Sequence, residues 1–98
     1  MGAQMRNYSK SRIAIDFFDE KILELLALRM DEVEVIGDHK SKSGTPVKDE
    51  SRETKILLKL EERGTALGLE SEMIRDVFSV IIKWSCMKQE NLHKLRPE

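Results

Sequence analysis

Over the first forty residues the apolar positions return at helical spacing. Ile15, Phe18, Ile22, Leu25, Arg29 and Ile36 fall at alternating three- and four-residue steps once Glu32 is passed over, the seam of one helix that packs on others. No Pro interrupts the stretch from Arg12 to Lys40, and the first Gly within it is Gly37. The spacing predicts one helix from about Ser9 to about Lys42, with Ser9 or Ser11 as its cap, roughly 50 Å long at ~1.5 Å per residue. A compact domain of this size has a radius of gyration near ~13 Å. The helix overshoots such a domain, and the simplest cover for its far end is a second copy of the chain. It is expected to be the spine of an intertwined homodimer.

The apolar seam gives out in the polar run Gly37 to Gly44. Thr45-Pro46-Val47 then reads as a short extended connection, because the residue before Pro avoids the α region. A second helix is expected from Asp49 or Ser51, with acids at 49, 50 and 53 suited to the positive end of its dipole. Ile56, Leu57, Leu60 and Leu67 form its buried stripe, and Gly64 or Gly68 closes it, the latter as a C′ stop before Leu69. A third helix, starting near Glu70 or Ser71, carries Ile74, Val77, Phe78, Ile81, Ile82, Ser85 and Gln89 on one face. Trp84 is expected at a helix interface. There is no period-2 run of useful length and no internal repeat. The fold class is all-α, a three-helix protomer with one long N-terminal helix. Residues 1–8 read as a flexible leader, 9–95 as the helical domain and 96–98 as a tail.

Composition narrows the picture without changing it. The 98 residues are 40% hydrophobic and 36% charged, which suits one water-soluble helical bundle with a small core. Lys and Arg number 17 against 18 Asp and Glu, for a net charge of −1. That balance removes the electrostatic reason to propose a nucleic-acid partner, although a local cationic pocket remains compatible with it. The single cysteine, Cys86, has no partner for a disulfide or a CxxC pair and reads as a small core residue in a reducing compartment. No apolar run forms a signal peptide or approaches a membrane span. The expected setting is cytoplasmic, as a free-standing domain without a membrane partner.

Several polar residues stand where a plain bundle would not put them. Arg29 occupies the seam itself. Lys40, eleven residues on, returns to within ~20° of the same face, whereas Arg12 lies roughly 25 Å back along the axis and points about 100° away. One helix cannot aim Arg12 and Arg29 at the same small ligand; across a two-fold axis, Arg12 of one protomer can complete the site of the other. Each of these cations also has a plain reading as a solvated charge or a stem over apolar surface. Asp49, Arg52 and Glu53 share a face at i, i+3 and i+4, though Asp49 has an alternative as a simple cap. Arg52 and Glu53 read equally as surface charges. Ser85 and Gln89 continue the apolar face of the third helix. Ser85 also fits as a small core filler, but a buried Gln requires something to bond. His39 and His93 have no companion at ligand spacing, so no metal and no cofactor are expected. Nothing forms a nucleophile–base pair or a glycine-rich phosphate loop. Cations at Arg29, Lys40 and Arg52, an acceptor at Glu53 and neutral donors at Ser85 and Gln89 suit a small, hydroxylated polyanion, held by orientation and electrostatics.

Taken together, Arg12-x6-Asp19-x2-Ile22-Leu23-x-Leu25-Leu26-x2-Arg29-x10-Lys40, then Pro46-Val47-x-Asp49-x2-Arg52-Glu53, then Phe78-x2-Ile81-Ile82-x2-Ser85-x3-Gln89, resembles the all-helical (AroQ-type) chorismate mutases over residues 12–89. The resemblance implies a domain-swapped homodimer that rearranges the dianion chorismate to prephenate, in phenylalanine and tyrosine biosynthesis, without a cofactor. It implies that Arg29 and the other protomer's Arg12 bind the two carboxylates, and that Lys40 and Gln89 bond the ether oxygen, with Lys40 also in reach of a carboxylate. Glu53 would hold the ring hydroxyl with help from the Asp49 backbone, Ser85 would bond a carboxylate, and Arg52 would order the network. Some members carry Glu where this chain has Gln89 and need it protonated, so no loss of kcat from ionisation at this site is expected between roughly pH 5 and 8. Two readings compete. An isochorismate-pyruvate lyase shares the fold but matches less well around Glu53, and a non-catalytic helical dimer module would not need Lys40 or Arg29.

Overall fold

The computed structural model describes the backbone of residues 2–95 and the side chains of residues 8–92. Among the described residues there are three α-helices and no strand: α1 Gly2–Ser43, α2 Glu50–Ala66 and α3 Ser71–Leu95. The all-α protomer with one long N-terminal helix is as the periodicity predicts. α1 starts earlier than expected, so Ser9 and Ser11 lie inside the helix and neither caps it. Ala3, Gln4, Met5 and Arg6 are strong helix formers, which extends the helix upstream of Ser9. Of the expected leader, residues 2–8 carry helical backbone. The side chains of residues 1–7, that of His93 and the tail at 96–98 lie outside the described residues.

The chain forms two units, Met1–Glu32 and Val33–Glu98. In the first, the expected seam is helical but its apolar members are uncovered: Ile15, Phe18, Ile22 and Leu25 are each more than half exposed within the chain, as are Phe17 and Leu28 beside them. What these side chains meet is local. The rings of Phe17 and Phe18 stand edge to face with centroids 5.9 Å apart, the Lys21 ammonium lies 5.2 Å from the centre of the Phe17 ring, and it pairs with Glu24 at 3.1 Å.

The second unit holds a small core of its own, with Val33, Val47, Ile74 and Ile82 buried. α2 and α3 pack on each other where Gly64 faces Ile74, and a Cβ at Gly64 would overlap that side chain. The end of α2 is closed as its sequence predicts. Gly68 takes φ +88°, Gly68 N–H donates to Thr65 C=O at 3.0 Å, and Leu69 N–H donates to Gly64 C=O at 3.0 Å. This is the paired-bond Schellman stop that an L side chain at Gly68 would strain. Glu61 ties the two helices together by accepting from Ser71 Oγ at 2.6 Å and pairing with Arg75. The Ser71 hydrogen bond, and then Arg75, hold its carboxyl below the ordinary value of 4.5.

Three expectations change. Leu67 is the C-cap of α2 rather than part of its buried stripe, and Trp84 is 54% exposed within the chain rather than packed in it. Cys86 is only half-buried and borders an open cleft, so it is not a core residue.

Candidate active site

The second unit gathers six of the eight residues singled out in the sequence. Asp49 is the N-cap of α2: its backbone is non-helical at φ −136°, and its Oδ1 accepts from the Arg52 N–H at 3.0 Å. The next turn starts as Glu53 N–H donates to Asp49 C=O at 3.0 Å. This cap fixes where Arg52 and Glu53 leave the helix. The Glu53 carboxylate is 23% exposed and pairs with Lys48, whose Nζ stands 3.3 Å from Oε1 and 3.5 Å from Oε2. The Arg52 side chain is exposed, and the hydrogen bond it makes at the cap is through its backbone.

On the last turns of α1, the half-buried Lys40 donates through Nζ to the carbonyl of the buried Val47 at 2.9 Å. That bond uses one of three ammonium donors and sets the direction of the others. It also ties the connection before α2 to α1. Thr45 N–H donates to Lys40 C=O at 3.0 Å, closing α1 where Gly44 takes φ +72°.

α3 supplies the buried polar pair. Ser85 and Gln89 are 5% and 7% exposed, as their place on an apolar face predicts. Ser85 Oγ donates to Ile81 C=O at 2.8 Å. The Gln89 Oε1 is buried with no hydrogen-bond partner among the described residues, an arrangement that costs free energy in a protein with nothing to bind there. Gly37 explains how Gln89 fits. A Cβ on Gly37 would lie 2.9 Å from Gln89 Cγ, 3.0 Å from Leu92 Cδ1 and 3.3 Å from Gln89 Cα. Any larger residue would push α3 off α1, so the glycine first read as the fading of the helix is a point of close packing inside it. Lys40 follows Gly37 by one turn, on the flank that Gln89 touches.

Beside Glu53 an open cleft of about 360 Å³ is lined by Lys48, Leu57, Ile82, Cys86 and Glu90, among others. Burial, followed by the negative charge of Glu53, pushes the Cys86 thiol up, and Lys48 and Lys40 oppose this. The thiol thus sits in the shared field of Lys40, Lys48 and Glu53. Lys48 and Cys86 were not readable as site residues. Lys48 lies in the aperiodic connection, and a lone cysteine has no spacing to mark it.

Arg12 and Arg29 belong to the first unit. Arg12 is exposed, donates to the Tyr8 hydroxyl at 2.6 Å and stacks over that ring, 4.3 Å from its centre. Arg29 is half-buried. Among the described residues no three His, Cys, Asp or Glu side chains are grouped to hold a metal ion, and no helix is long and apolar enough to cross a membrane.

Residues 11–90 match the family described as chorismate mutase type II. A T-protein of Enterobacter agglomerans is 34% identical over 74 residues, covering 76% of this chain and 20% of its own. Two bifunctional chorismate mutase/prephenate dehydratases are similar as well. That of Buchnera aphidicola from Acyrthosiphon pisum is 37% identical over 83 residues, 85% of this chain and 22% of its own. That of Escherichia coli K12 is 35% identical over 91 residues, 88% of this chain and 24% of its own. The chain thus spans a fifth to a quarter of the length of these curated relatives, two of which are named as bifunctional. The match over residues 11–90, on an all-helical chain, leads to one conclusion: the chain belongs to the chorismate mutase type II family.

Proposed function

We propose that the protein is a chorismate mutase, an isomerase of phenylalanine and tyrosine biosynthesis, that converts chorismate to prephenate as an intertwined homodimer. The observation that carries this reading is the buried amide of Gln89, unpartnered on Oε1 and packed against the turn of α1 that leads to Lys40. A buried amide asks for a polar ligand, and its N–H together with the Lys40 ammonium suits an oxygen that gains negative charge as its bond breaks.

The reaction is an intramolecular pericyclic shift. The ether C–O bond breaks as a new C–C bond forms, and no proton or electron leaves the substrate. The protein needs to hold a chair-like conformer and stabilise its polarised transition state. Lys40 and the amide N–H of Gln89 donate to the ether oxygen. Glu53, fixed by the Asp49 cap, accepts from the ring hydroxyl. Ser85 and Arg29 bind carboxylate oxygens, Arg52 orders the network from the first turn of α2, and Arg12 of the second protomer binds the remaining carboxylate. The exposed seam of residues 15–28 supports the homodimer, because a stripe with so many large apolar side chains is normally covered. The reading places the protein in the cytoplasm, a setting compatible with a free thiol beside the cleft.

The test is to incubate purified protein with chorismate, follow its loss by absorbance and identify the product. Prephenate is expected. Turnover of isochorismate to salicylate and pyruvate instead, or no turnover of either, would contradict the proposal.

A further inference from the structure

We propose that Lys48 is a positioning residue of this site, orienting the Glu53 carboxylate so that it can grip a hydroxyl of a doubly negative substrate. The inference rests on the mutase reading and adds to it a residue that the motif does not contain.

A carboxylate is an awkward neighbour for a dianion. Glu53 brings a third negative charge to a substrate that carries two, and like charges at short range disfavour one another. Glu90 lines the same cleft and adds a fourth. The positive groups there are Lys48 and Lys83 on its wall and Lys40, whose field reaches Cys86. Of these, Lys48 is the one in contact with Glu53, at 3.3 Å from Oε1 and 3.5 Å from Oε2. Straddling both oxygens, it offsets the charge where it arises and fixes the rotation of the carboxylate plane.

The pair has little value for folding. The Lys48 side chain is 62% exposed, and ion pairs of that kind contribute little to stability. Its consequence lies in the local field of the cleft, where low-dielectric walls make fixed charges felt. Geometry supports the same view. Lys48 directly precedes the Asp49 cap, whose bond to the Arg52 N–H fixes the first turn of α2, while the bond from Lys40 to Val47 C=O ties down the residue on its other side. Lys48 is therefore anchored by its neighbours on both sides, with its ammonium left to Glu53.

Glu53 holds the hydroxyl both before and during the rearrangement, so losing its support weakens ground state and transition state alike and appears in KM rather than kcat. Steady-state turnover of chorismate by the full chain, its K48A and K48R variants, E53Q and K48A/E53Q tests this. E53Q keeps an acceptor oxygen, so its turnover stays measurable. In K48A, KM is expected to rise about tenfold with kcat within about twofold of the parent, and K48R to recover most of the loss. In the E53Q background the same lysine substitution should change KM less than about twofold, since there is no carboxylate left to support. Melting temperatures of parent and K48A should coincide. An unchanged KM in K48A, an equal loss in the E53Q background, or a fall in kcat alone would overturn the inference while leaving the mutase reading intact. Absence of prephenate formation by the unmodified protein overturns both.

Discussion

The two units of this chain treat polarity in opposite ways. In residues 1–32, Ile15, Phe18, Ile22 and Leu25 stand exposed; in residues 33–98 a serine and a glutamine are buried. Each arrangement is unfavourable taken alone. Exposed aliphatic and aromatic side chains forgo about 1.5–3 kcal/mol apiece relative to full burial, and a buried amide oxygen without a partner costs about 1–3 kcal/mol. Both deficits are relieved by binding. The apolar stripe calls for a second protein surface of the same character, and the buried amide calls for a polar ligand. On the proposed reading, the stripe of the first unit serves assembly and the buried polar pair of the second serves the substrate.

The largest effect should come from charging the stripe. Ile22→Asp with Leu25→Asp is expected to abolish the dimer and, with it, most chorismate turnover, removing about 2–3 kcal/mol of burial at each position. Sedimentation equilibrium together with the activity assay reads this. A double variant that remains dimeric and active would show that the stripe has another purpose, and the contrast between the units would lose its meaning.

A smaller and more specific effect is expected at Gln89. The parent kcat should stay flat from roughly pH 5 to 8, because an amide does not ionise. In Gln89→Glu the new carboxyl occupies a site that is 7% exposed, and burial favours its neutral form, raising its pKa. Only the protonated carboxyl donates to the ether oxygen. Activity of the variant should therefore be highest at the acid end and fall as pH rises through that raised pKa, by about tenfold or more. A flat profile in the variant, or a steep one in the parent, would remove Gln89 from the mechanism.

The smallest effect concerns the second unit alone. Glu61 has its pKa lowered by Ser71 and Arg75, so the folded state binds its proton less readily than the unfolded chain does. Its contribution to stability is fully present above the ordinary value of 4.5 and is lost as pH falls through the lower folded value. Glu61→Gln should melt slightly below the parent at pH 7, and the gap should close as the pH falls through the lowered folded value. Thermal melts at several pH values check this, and a gap that widens on acidification would contradict the assignment.

Much of this organisation was legible in the sequence because it rests on local chemistry. Asp49 and Gly68 are signals that a few neighbouring residues determine, and Ser85 and Gln89 declared themselves by standing at i and i+4 on an apolar face. What escaped depends on contacts between elements. Gly37 looked like the fraying of a helix, because nothing in its own segment announces that Gln89 will lie against it. Cys86 looked like filler, since burial on an amphipathic helix cannot be assigned to within one residue when the cleft falls at the margin of the stripe. Trp84 was expected at a helix interface, and its exposure within the chain has no local signature. Lys48 sits in a connection without periodicity, so its pairing with Glu53 followed only from the path of the chain between Val47 and Asp49.

The central claim is that each site draws cations from two copies of the chain, and a mixing experiment tests it directly. Arg12→Ala and Lys40→Ala, purified separately, should each lose about 10²- to 10³-fold in kcat/KM. Unfolded together and refolded, random pairing yields hybrids in which one of the two sites holds an intact Lys40 from one chain and an intact Arg12 from the other. Activity should return to about one quarter of that of the unmodified protein. Hybrids that form, as shown by mass, yet stay as inactive as either variant would contradict the shared site.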